Sequence, residues 1–285
     1  MNTVYLNGSY LPMHEARISP MDRGFLFGDG VYEVIPSYDG AMVGFRQHMQ
    51  RMQGGLDAIE LRYTLDLEQW RIIIEQLIAR NGGGNLGIYM HISRGADTRR
   101  QHAYPEGIAP TVFAFAYAIG PSPPADKSLA KTYTAATAED LRWKRCNIKT
   151  TALLGNVMHM QHGVARGDGE TILYNAAQEL TEAAACNVYI VKAGVVATPP
   201  LDHQILPGVT RQLLMEILRT HSAIPVQERI IKLAELYDAD EVWLSSSSKD
   251  IAPVLKVDGR TIGNGEIGDV WLAAQTLFSQ HKFDL

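Results

Sequence analysis

Lys149 is the residue in this sequence best suited to covalent chemistry. It stands in the stretch IKTTALL at residues 148–154, where the residues after the lysine are small or apolar. Such surroundings disfavour a charged ammonium group, and a neutral amine is a nucleophile that attacks carbonyl carbon atoms. A lysine whose apolar stem packs on the surface while its amine reaches water gives the same pattern. Lys149 alone therefore leaves both interpretations open.

Two further stretches are suited to binding phosphate. A glycine turn at residues 206–210 leads into a predicted helix, whose first N–H groups and dipole favour an anion. Four serines, Ser245–Ser248, end a predicted strand, and hydroxyl and N–H groups in a turn bind phosphate oxygen atoms. A simple helix cap at Thr210 and a solvated polar loop at the serines are the alternatives.

A cluster of cationic residues lies between a predicted strand that ends at Ser93 and the pair at residues 104–105. Its members are Arg94, Arg99, Arg100 and His102. The chain as a whole is acidic, with 26 Lys and Arg against 31 Asp and Glu and a formal net charge of -5. A local cationic cluster in an acidic chain favours carboxylate recognition by a guanidinium fork. A solvated basic loop is the alternative.

Composition and incomplete motifs exclude several classes of protein. The acidic balance argues against a general nucleic-acid binder, which needs a basic face. The stretch GNGEIG at residues 263–268 matches the dinucleotide fingerprint, but only 17 of the 285 residues follow it. That length is too short for the second strand and acidic residue of a dinucleotide site. His159 and His162 have no carboxylate or cysteine beside them, so we predict no metal site.

The sequence predicts a cytoplasmic protein without a membrane partner. Its two cysteines, Cys146 and Cys186, are too few for a disulfide framework and are typical of a reducing compartment. The first residues, MNTVYLNG, lack the basic and apolar regions of a secretory signal. No apolar run approaches the roughly 18 residues that are needed to span a bilayer.

A proline-rich segment at residues 120–124 divides the chain. Its sequence, GPSPP, contains three prolines, which restrict the backbone to extended conformations. We therefore predict a smaller N-terminal α+β domain at residues 1–119, a linker at 120–124 and a larger C-terminal domain at 125–285 that carries Lys149. Short strands mixed with helices, without a regular βαβ rhythm, predict an α+β or mixed α/β fold rather than a doubly wound sheet.

The spacing of apolar residues predicts the elements that position these residues. Helices are predicted at residues 66–80, 153–166 and 210–220. Strands are predicted at residues 4–6, 10–11, 31–37, 86–93, 111–119, 171–174, 187–191, 241–244, 254–257 and 260–262.

Four stretches, in their order along the chain, resemble the fold-type IV pyridoxal-phosphate aminotransferases. They are DRGFLFGDGVYE at residues 22–33, DLRWKRCNIK at 140–149, LTE at 180–182 and GVTR at 208–211. The similarity extends over nearly the whole chain, and the combination is highly specific. Within the family, residues 31–34 and the pair Arg100 and His102 most resemble D-amino acid aminotransferases, whereas the branched-chain enzymes lack this Arg-x-His pair.

The resemblance implies a two-domain fold-type IV enzyme that binds pyridoxal 5'-phosphate. Lys149 would form a Schiff base with the cofactor and then move the proton between substrate Cα and cofactor C4′. Glu182 would keep the pyridine nitrogen protonated, so that the ring withdraws electrons. Leu206 would pack beneath the ring. The cofactor phosphate would be bound by Arg51, Val209, Thr210 and Ser247.

The resemblance also implies a substrate site and an assembly. Tyr32, Arg100 and His102 would hold the substrate α-carboxylate, with Arg100 and His102 contributed by the partner subunit of a homodimer. The expected reaction moves the amino group of D-amino acids such as D-alanine to 2-oxoglutarate by a ping-pong route. Where relatives commonly have serines after Glu182, this chain has alanines at residues 183–185, which removes hydroxyl groups that could bond the cofactor.

Other functions fit parts of the same pattern. A lyase of the same fold that splits aminodeoxychorismate into 4-aminobenzoate and pyruvate would share Lys149 and the phosphate ligands, but the Arg100 and His102 pair favours a transaminase. A branched-chain L-amino acid or R-amine aminotransferase would differ only in the residues that line its pocket. A non-catalytic binding protein that kept the fold is disfavoured, because Lys149, Glu182 and Arg51 are all present.

Overall fold

The computed structural model describes residues 2–64 and 66–284, and within them no helix has the length and apolar character needed to cross a bilayer. The chain forms two compact units. Unit 1 comprises Met1–Pro121 and Ile148–Leu153, and unit 2 comprises Ser122–Asn147 and Leu154–Leu285. Each unit combines helices with β-strands, which confirms the predicted α+β fold class. The first boundary follows Pro121, inside the segment that the sequence marks as a linker.

Unit 1 is built on an antiparallel sheet with the strand order β2-β1-β6-β5-β3-β4. The strands are β1 (Thr3–Leu6), β2 (Ser9–Pro12), β3 (Gly30–Tyr38), β4 (Ala41–Met42), β5 (Leu86–Ser93) and β6 (Thr111–Ala118). The helices are α1 (Arg23–Phe27), α2 (Phe45–Ala58) and α3 (Leu67–Arg80). One core joins the apolar faces of α2 and α3 to one face of the sheet.

Alternation along β3 separates two groups of side chains. Val31, Glu33 and Ile35 are buried, whereas Tyr32 and Val34 are only partly buried. Successive side chains of a strand point to opposite faces of the sheet. Because Val31 and Ile35 belong to the core formed with the helices, Glu33 lies on the helix-covered face and Tyr32 on the other. A single strand thus supplies two neighbouring residues to two different environments.

The segment that carries Lys149 belongs to unit 1 and not, as the sequence led us to expect, to the larger C-terminal domain. Backbone contacts with β3 give the reason. Tyr32 N donates to the Lys149 carbonyl at 3.0 Å, Thr151 N donates to the Gly30 carbonyl at 3.0 Å, and Thr150 forms an antiparallel bridge with Val31. These contacts join segments that are more than a hundred residues apart, so local sequence patterns do not reveal them.

Unit 2 is built on a mixed sheet with the strand order β12-β11-β10-β13-β14-β7-β8-β9, and β15 pairs with β14. Parallel pairs β11-β12, β14-β7 and β7-β8 occur beside antiparallel ones, which is not the pattern of a doubly wound sheet. The strands are β7 (Tyr133–Glu139), β8 (Glu170–Tyr174), β9 (Leu180–Ala183), β10 (Asn187–Lys192), β11 (Val195–Thr198), β12 (Val226–Glu228), β13 (Glu241–Ser246), β14 (Asp250–Val257) and β15 (Arg260–Thr261). The helices are α4 (Leu154–Val164), α5 (Val209–His221), α6 (Leu233–Tyr237) and α7 (Asp269–His281).

Candidate active site

In unit 1 the structure brings Lys149 into contact with Tyr32. Lys149 Nζ donates a hydrogen bond to Tyr32 Oη at 3.2 Å and lies 4.3 Å from the centre of the tyrosine ring. Ile148, the residue before the lysine, is buried in the core of unit 1 and anchors the segment. The Tyr32 ring in turn stacks on Tyr89 of β5, with 5.6 Å between ring centres. Two residues singled out from distant parts of the sequence therefore form one pair.

Gly28 allows the Lys149 segment to approach the turn after α1. The residue has φ of +66° and ends α1 in the left-handed conformation. A Cβ atom there would lie 2.7 Å from the Cβ of Ala152. The hydroxyls of Thr150 and Thr151 donate to the Gly28 carbonyl at 3.2 and 3.0 Å. Only glycine meets both requirements, a positive φ and a close approach of two backbone segments.

Arg51 of α2 is fixed by a buried carboxylate. Its Nε and Nη2 atoms donate to the two oxygen atoms of Glu33, each at 2.7 Å, and His48 Nδ1 lies 2.6 Å from Glu33 Oε2. Burial alone would raise the pKa of Glu33, but Arg51 and His48 lower it to about 2. Glu33 is therefore ionised throughout the physiological range. Glu33 therefore fixes the orientation of Arg51, which the sequence predicts as a phosphate ligand.

Arg100 and His102 lie on an exposed loop between β5 and β6 and meet at one aromatic ring. The Arg100 guanidinium lies 5.1 Å from the centre of the Phe27 ring, and the His102 ring centre lies 5.4 Å from it. Arg94 does not belong to this exposed group, although the sequence placed it there. It is buried and binds Asp29 through Nε at 2.9 Å and Nη2 at 3.1 Å.

In unit 2 Glu182 of β9 is buried in a network of donors. Its carboxylate accepts from Arg142 Nη1 at 2.5 Å, from the Leu206 backbone N–H at 3.0 Å and from Asn187 Nδ2 at 3.3 Å. Burial raises the pKa of Glu182 to about 7, and Arg142 acts against this rise. The ionised and protonated forms are therefore close in free energy near neutral pH.

Arg142 holds Glu182 in place and was not predicted as a site residue. Its Nε and Nη2 atoms bind both oxygen atoms of Asp140 at 2.9 and 2.7 Å, and Nη2 also donates to the Gln204 carbonyl at 3.2 Å. Both residues lie in the stretch DLRWKRCNIK that carries part of the family resemblance. An acid and an arginine two residues apart were the available signal, but nothing local reveals the contact of Arg142 with Glu182.

Asn187, at the start of β10, connects the predicted phosphate ligands of unit 2. Its Nδ2 atom donates to the Leu206 carbonyl at 2.9 Å, and a Cβ atom on Gly208 would overlap its Oδ1 atom. Asn187 also pairs with Ser245 of β13, two residues before Ser247. Among the described residues no side chain caps α5 at Gly208, so the N–H groups at Val209 and Thr210 point outward from the helix start. Glycine is therefore required at position 208 by the close approach of Asn187.

The comparisons with known proteins agree with this arrangement. The family model for class IV amino-transferases matches residues 30–257. The chain is 36% identical over 282 residues to a D-alanine aminotransferase from Staphylococcus haemolyticus, an alignment that covers 99% of this chain and 98% of that relative.

Two solved structures have the same fold. The Escherichia coli branched-chain amino acid aminotransferase superposes with a TM-score of 0.90 at 24% identity, covering 98% of this chain and 94% of that one. The branched-chain enzyme of Thermoproteus uzoniensis, solved with norvaline, gives 0.85 at 25% identity, covering 99% and 95%. The protein belongs to the class IV aminotransferase family, which confirms the resemblance that the four stretches indicate. It is an aminotransferase.

The geometry at Gly28 generates a stability prediction. Gly28→Ala should lower the free energy of unfolding by about 2–3 kcal/mol, because it combines a strained positive φ with a clash against Ala152. Gly83→Ala is the matched control, since Gly83 has φ of +69° but no neighbour within 4 Å of the added Cβ atom among the described residues. Urea denaturation measures both variants. Equal losses of stability would contradict the role of the close approach.

Proposed function

We propose that this protein is a pyridoxal 5'-phosphate-dependent aminotransferase that acts on D-amino acids. It would convert D-alanine and 2-oxoglutarate into pyruvate and D-glutamate by a ping-pong route. The observation that carries the proposal is the similarity over nearly the whole chain to D-alanine aminotransferases. The pairing of the Lys149 amine with Tyr32 supports it, because the reaction needs an amine beside a group that can orient the substrate.

The residues of the chain suit the chemical groups of this cofactor. When bound, pyridoxal phosphate supplies an aldehyde that receives the amino group and a ring that withdraws electrons from the reacting carbon atom. Lys149 offers the amine, and Glu182 offers a carboxylate that holds a proton at the pyridine nitrogen. Leu206, whose N–H binds Glu182, would pack against the ring. The phosphate ligands in this proposal are Arg51, Val209, Thr210 and Ser247.

We assign the substrate α-carboxylate to Tyr32, Arg100 and His102. The phenol of Tyr32 is a hydrogen-bond donor beside the lysine amine, and the guanidinium of Arg100 is exposed and suited to bind a carboxylate through two parallel hydrogen bonds. Lys149 would then act as the base that takes a proton from the substrate Cα and delivers it to cofactor C4′. A fixed carboxylate and one base on one side of Cα allow only one stereoisomer to react.

We further propose that the protein is a homodimer, in which Arg100 and His102 of one protomer reach the substrate of its partner. Large apolar residues are exposed on one face of α4 at Leu154, Val157 and Met158. Leu141 and Trp143, in the loop whose Leu141 N–H donates to His159 of α4, are also exposed. These side chains form an apolar patch rather than single scattered exposed residues, and such patches are typical of protein interfaces.

We propose a cytoplasmic location for this enzyme. Cys146 and Cys186 are both buried free thiols, the state in which reducing compartments keep cysteines. The substrates named above are small amino acids and 2-oxo acids.

The reaction itself is tested with purified protein and cofactor. D-alanine with 2-oxoglutarate should yield pyruvate, and L-alanine should yield far less. Lys149→Ala should lower the rate by about a thousandfold or more, because it removes both the amine and the base, and should abolish the visible absorbance of lysine-bound cofactor. Lys127→Ala, at an exposed lysine paired with Asp269, is the control. Equal use of both alanine isomers, or activity unchanged by Lys149→Ala, would contradict the proposal.

The raised pKa of Glu182 predicts that cofactor binding depends on pH. A carboxylate stabilises a protonated pyridine nitrogen, and a neutral carboxyl group does so far less. Because the pKa is about 7, the ionised fraction falls when the pH is lowered from 8 to 6. We expect the dissociation constant for pyridoxal 5'-phosphate to rise about tenfold over that interval. Titration of the protein with the cofactor, followed by absorbance, measures this dissociation constant. The Glu182→Gln variant should bind the cofactor weakly, and its dissociation constant should change less with pH. Parallel profiles for the two proteins would refute the assignment.

A mixing experiment tests whether Arg100 crosses between protomers. Lys149→Ala and Arg100→Ala are each expected to be poorly active alone. In a mixed dimer, one site has an intact Lys149 and receives Arg100 from its partner. Random assembly after co-expression should therefore restore about a quarter of the wild-type activity, since half of the dimers carry one complete site each. No restoration in dimers verified by mass measurement would mean that both residues act within one chain.

A further inference from the structure

Asp29, between α1 and β3, binds two arginines at once. Arg23 Nε donates to Asp29 Oδ2 at 2.7 Å, and Arg94 binds the same carboxylate through Nε and Nη2. The side chains of Arg23 and Arg94 are only 4% and 8% exposed, and that of Asp29 is 11% exposed. Charges at this depth require partners, because an unpaired buried ion is strongly destabilising. The three side chains therefore form one rigid ionic group.

Arg23 uses its remaining donors to hold the backbone of the loop that carries Arg100 and His102. Nη1 donates to the Gln101 carbonyl at 2.6 Å and to the Ala103 carbonyl at 3.3 Å, while Nη2 donates to the His102 carbonyl at 3.1 Å. One guanidinium thus contacts three consecutive peptide groups. The loop has neither helix nor strand among residues 97–110, so its position depends on contacts of this kind.

Two aromatic contacts complete the arrangement. The Phe27 ring lies 4.9 Å from the Arg23 guanidinium and also contacts the side chains of Arg100 and His102. On the other side of Asp29, the Arg94 guanidinium lies 3.6 Å from the centre of the Tyr104 ring. Backbone and side chains of the loop are therefore both held by residues that Asp29 fixes in place.

We propose that Arg23, Asp29 and Arg94 form a clamp that positions Arg100 and His102 for carboxylate recognition, with Arg23 as its central positioning residue. The inference rests on the proposed function, because it takes Arg100 and His102 as ligands of the substrate carboxylate. It gives a physical role to the stretch DRGFLFGDG: Arg23, Phe27 and Asp29 act on the loop and not on the reacting atoms. Lysine cannot replace Arg23, because an ammonium group is a compact charge whose three donors lack the planar fork of a guanidinium.

Arg23→Lys tests the clamp by separating substrate binding from catalysis. We expect KM for both D-alanine and 2-oxoglutarate to rise about tenfold, with kcat within about twofold, because a carboxylate contact stabilises ground and transition states alike. Absorbance of the bound cofactor should be unchanged. Phe27→Leu, at a partly buried ring, should raise KM in the same direction and serves if Arg23→Lys folds poorly. Arg80→Lys is the control, since the exposed Arg80 also lies over an aromatic ring in unit 1, at 4.6 Å from the centre of the Tyr10 ring.

Limited trypsin digestion tests the clamp without any activity measurement. Arg99 and Arg100 are cleavage sites within the loop, so Arg23→Lys should accelerate cleavage there at least about fivefold, as expected for a loop that opens more often. The control Arg80→Lys should be cut at the wild-type rate. If the wild type transfers no amino group but Arg23→Lys is cut faster, the proposed function fails and the clamp stands. Unchanged KM values, or an unchanged cleavage rate in a folded Arg23→Lys variant, would overturn the clamp.

Discussion

The need to pair every buried charge governs how the candidate site residues are held within each unit. Glu33 binds Arg51, Glu182 binds Arg142, and Asp29 binds Arg23 and Arg94. The first two pairings orient a residue with a proposed role at the cofactor, and the third orients the loop that carries Arg100 and His102. An isolated ion at such depth would be too costly, so each functional charge depends on a partner that fixes its geometry. The defined orientations of these residues are therefore a consequence of the burial of their charges.

Much of the fold follows from local patterns. The apolar spacing of α3 places Trp70, Ile73 and Leu77 on its buried face, and the helix begins one residue after the predicted start because Asp66 caps it through the Gln69 N–H. Helix α2 was not predicted, although its apolar residues Met49, Met52 and Leu56 also recur at helical spacing. Gly54 and Gly55 lower its helix propensity, yet Gly55 is needed there because an added Cβ atom would lie 3.1 Å from Val31 Cγ1. The local sequence does not reveal that α2 must pack this closely against β3.

The residues of the candidate site were likewise predicted from the sequence only in part. The motif order along the chain was enough to single out Lys149, Glu182 and Tyr32, and the structure pairs Lys149 with Tyr32. It was not enough to distinguish Arg94 from Arg100, because both stand in one cationic stretch and only the fold buries Arg94 beside Asp29. Arg142 and Asn187 were likewise not predicted, since Arg142 contacts Glu182 40 residues away and Asn187 contacts Leu206 19 residues away. Residue type predicts chemistry, whereas tertiary contacts decide which residue performs it.

The alternation of β3 has a consequence for how this enzyme can diversify. Glu33 belongs to the ionic network with Arg51, while Tyr32 and Val34 face the opposite side of the strand. Point substitutions at positions 32 and 34 therefore leave the ion pair of Glu33 and Arg51 on the other face of the strand in place. Insertion or deletion of one residue would exchange the two sets and place a carboxylate where the phenol stands. This strand can therefore vary in the side chains on the face of Tyr32, whereas a change in its length would disturb both faces at once.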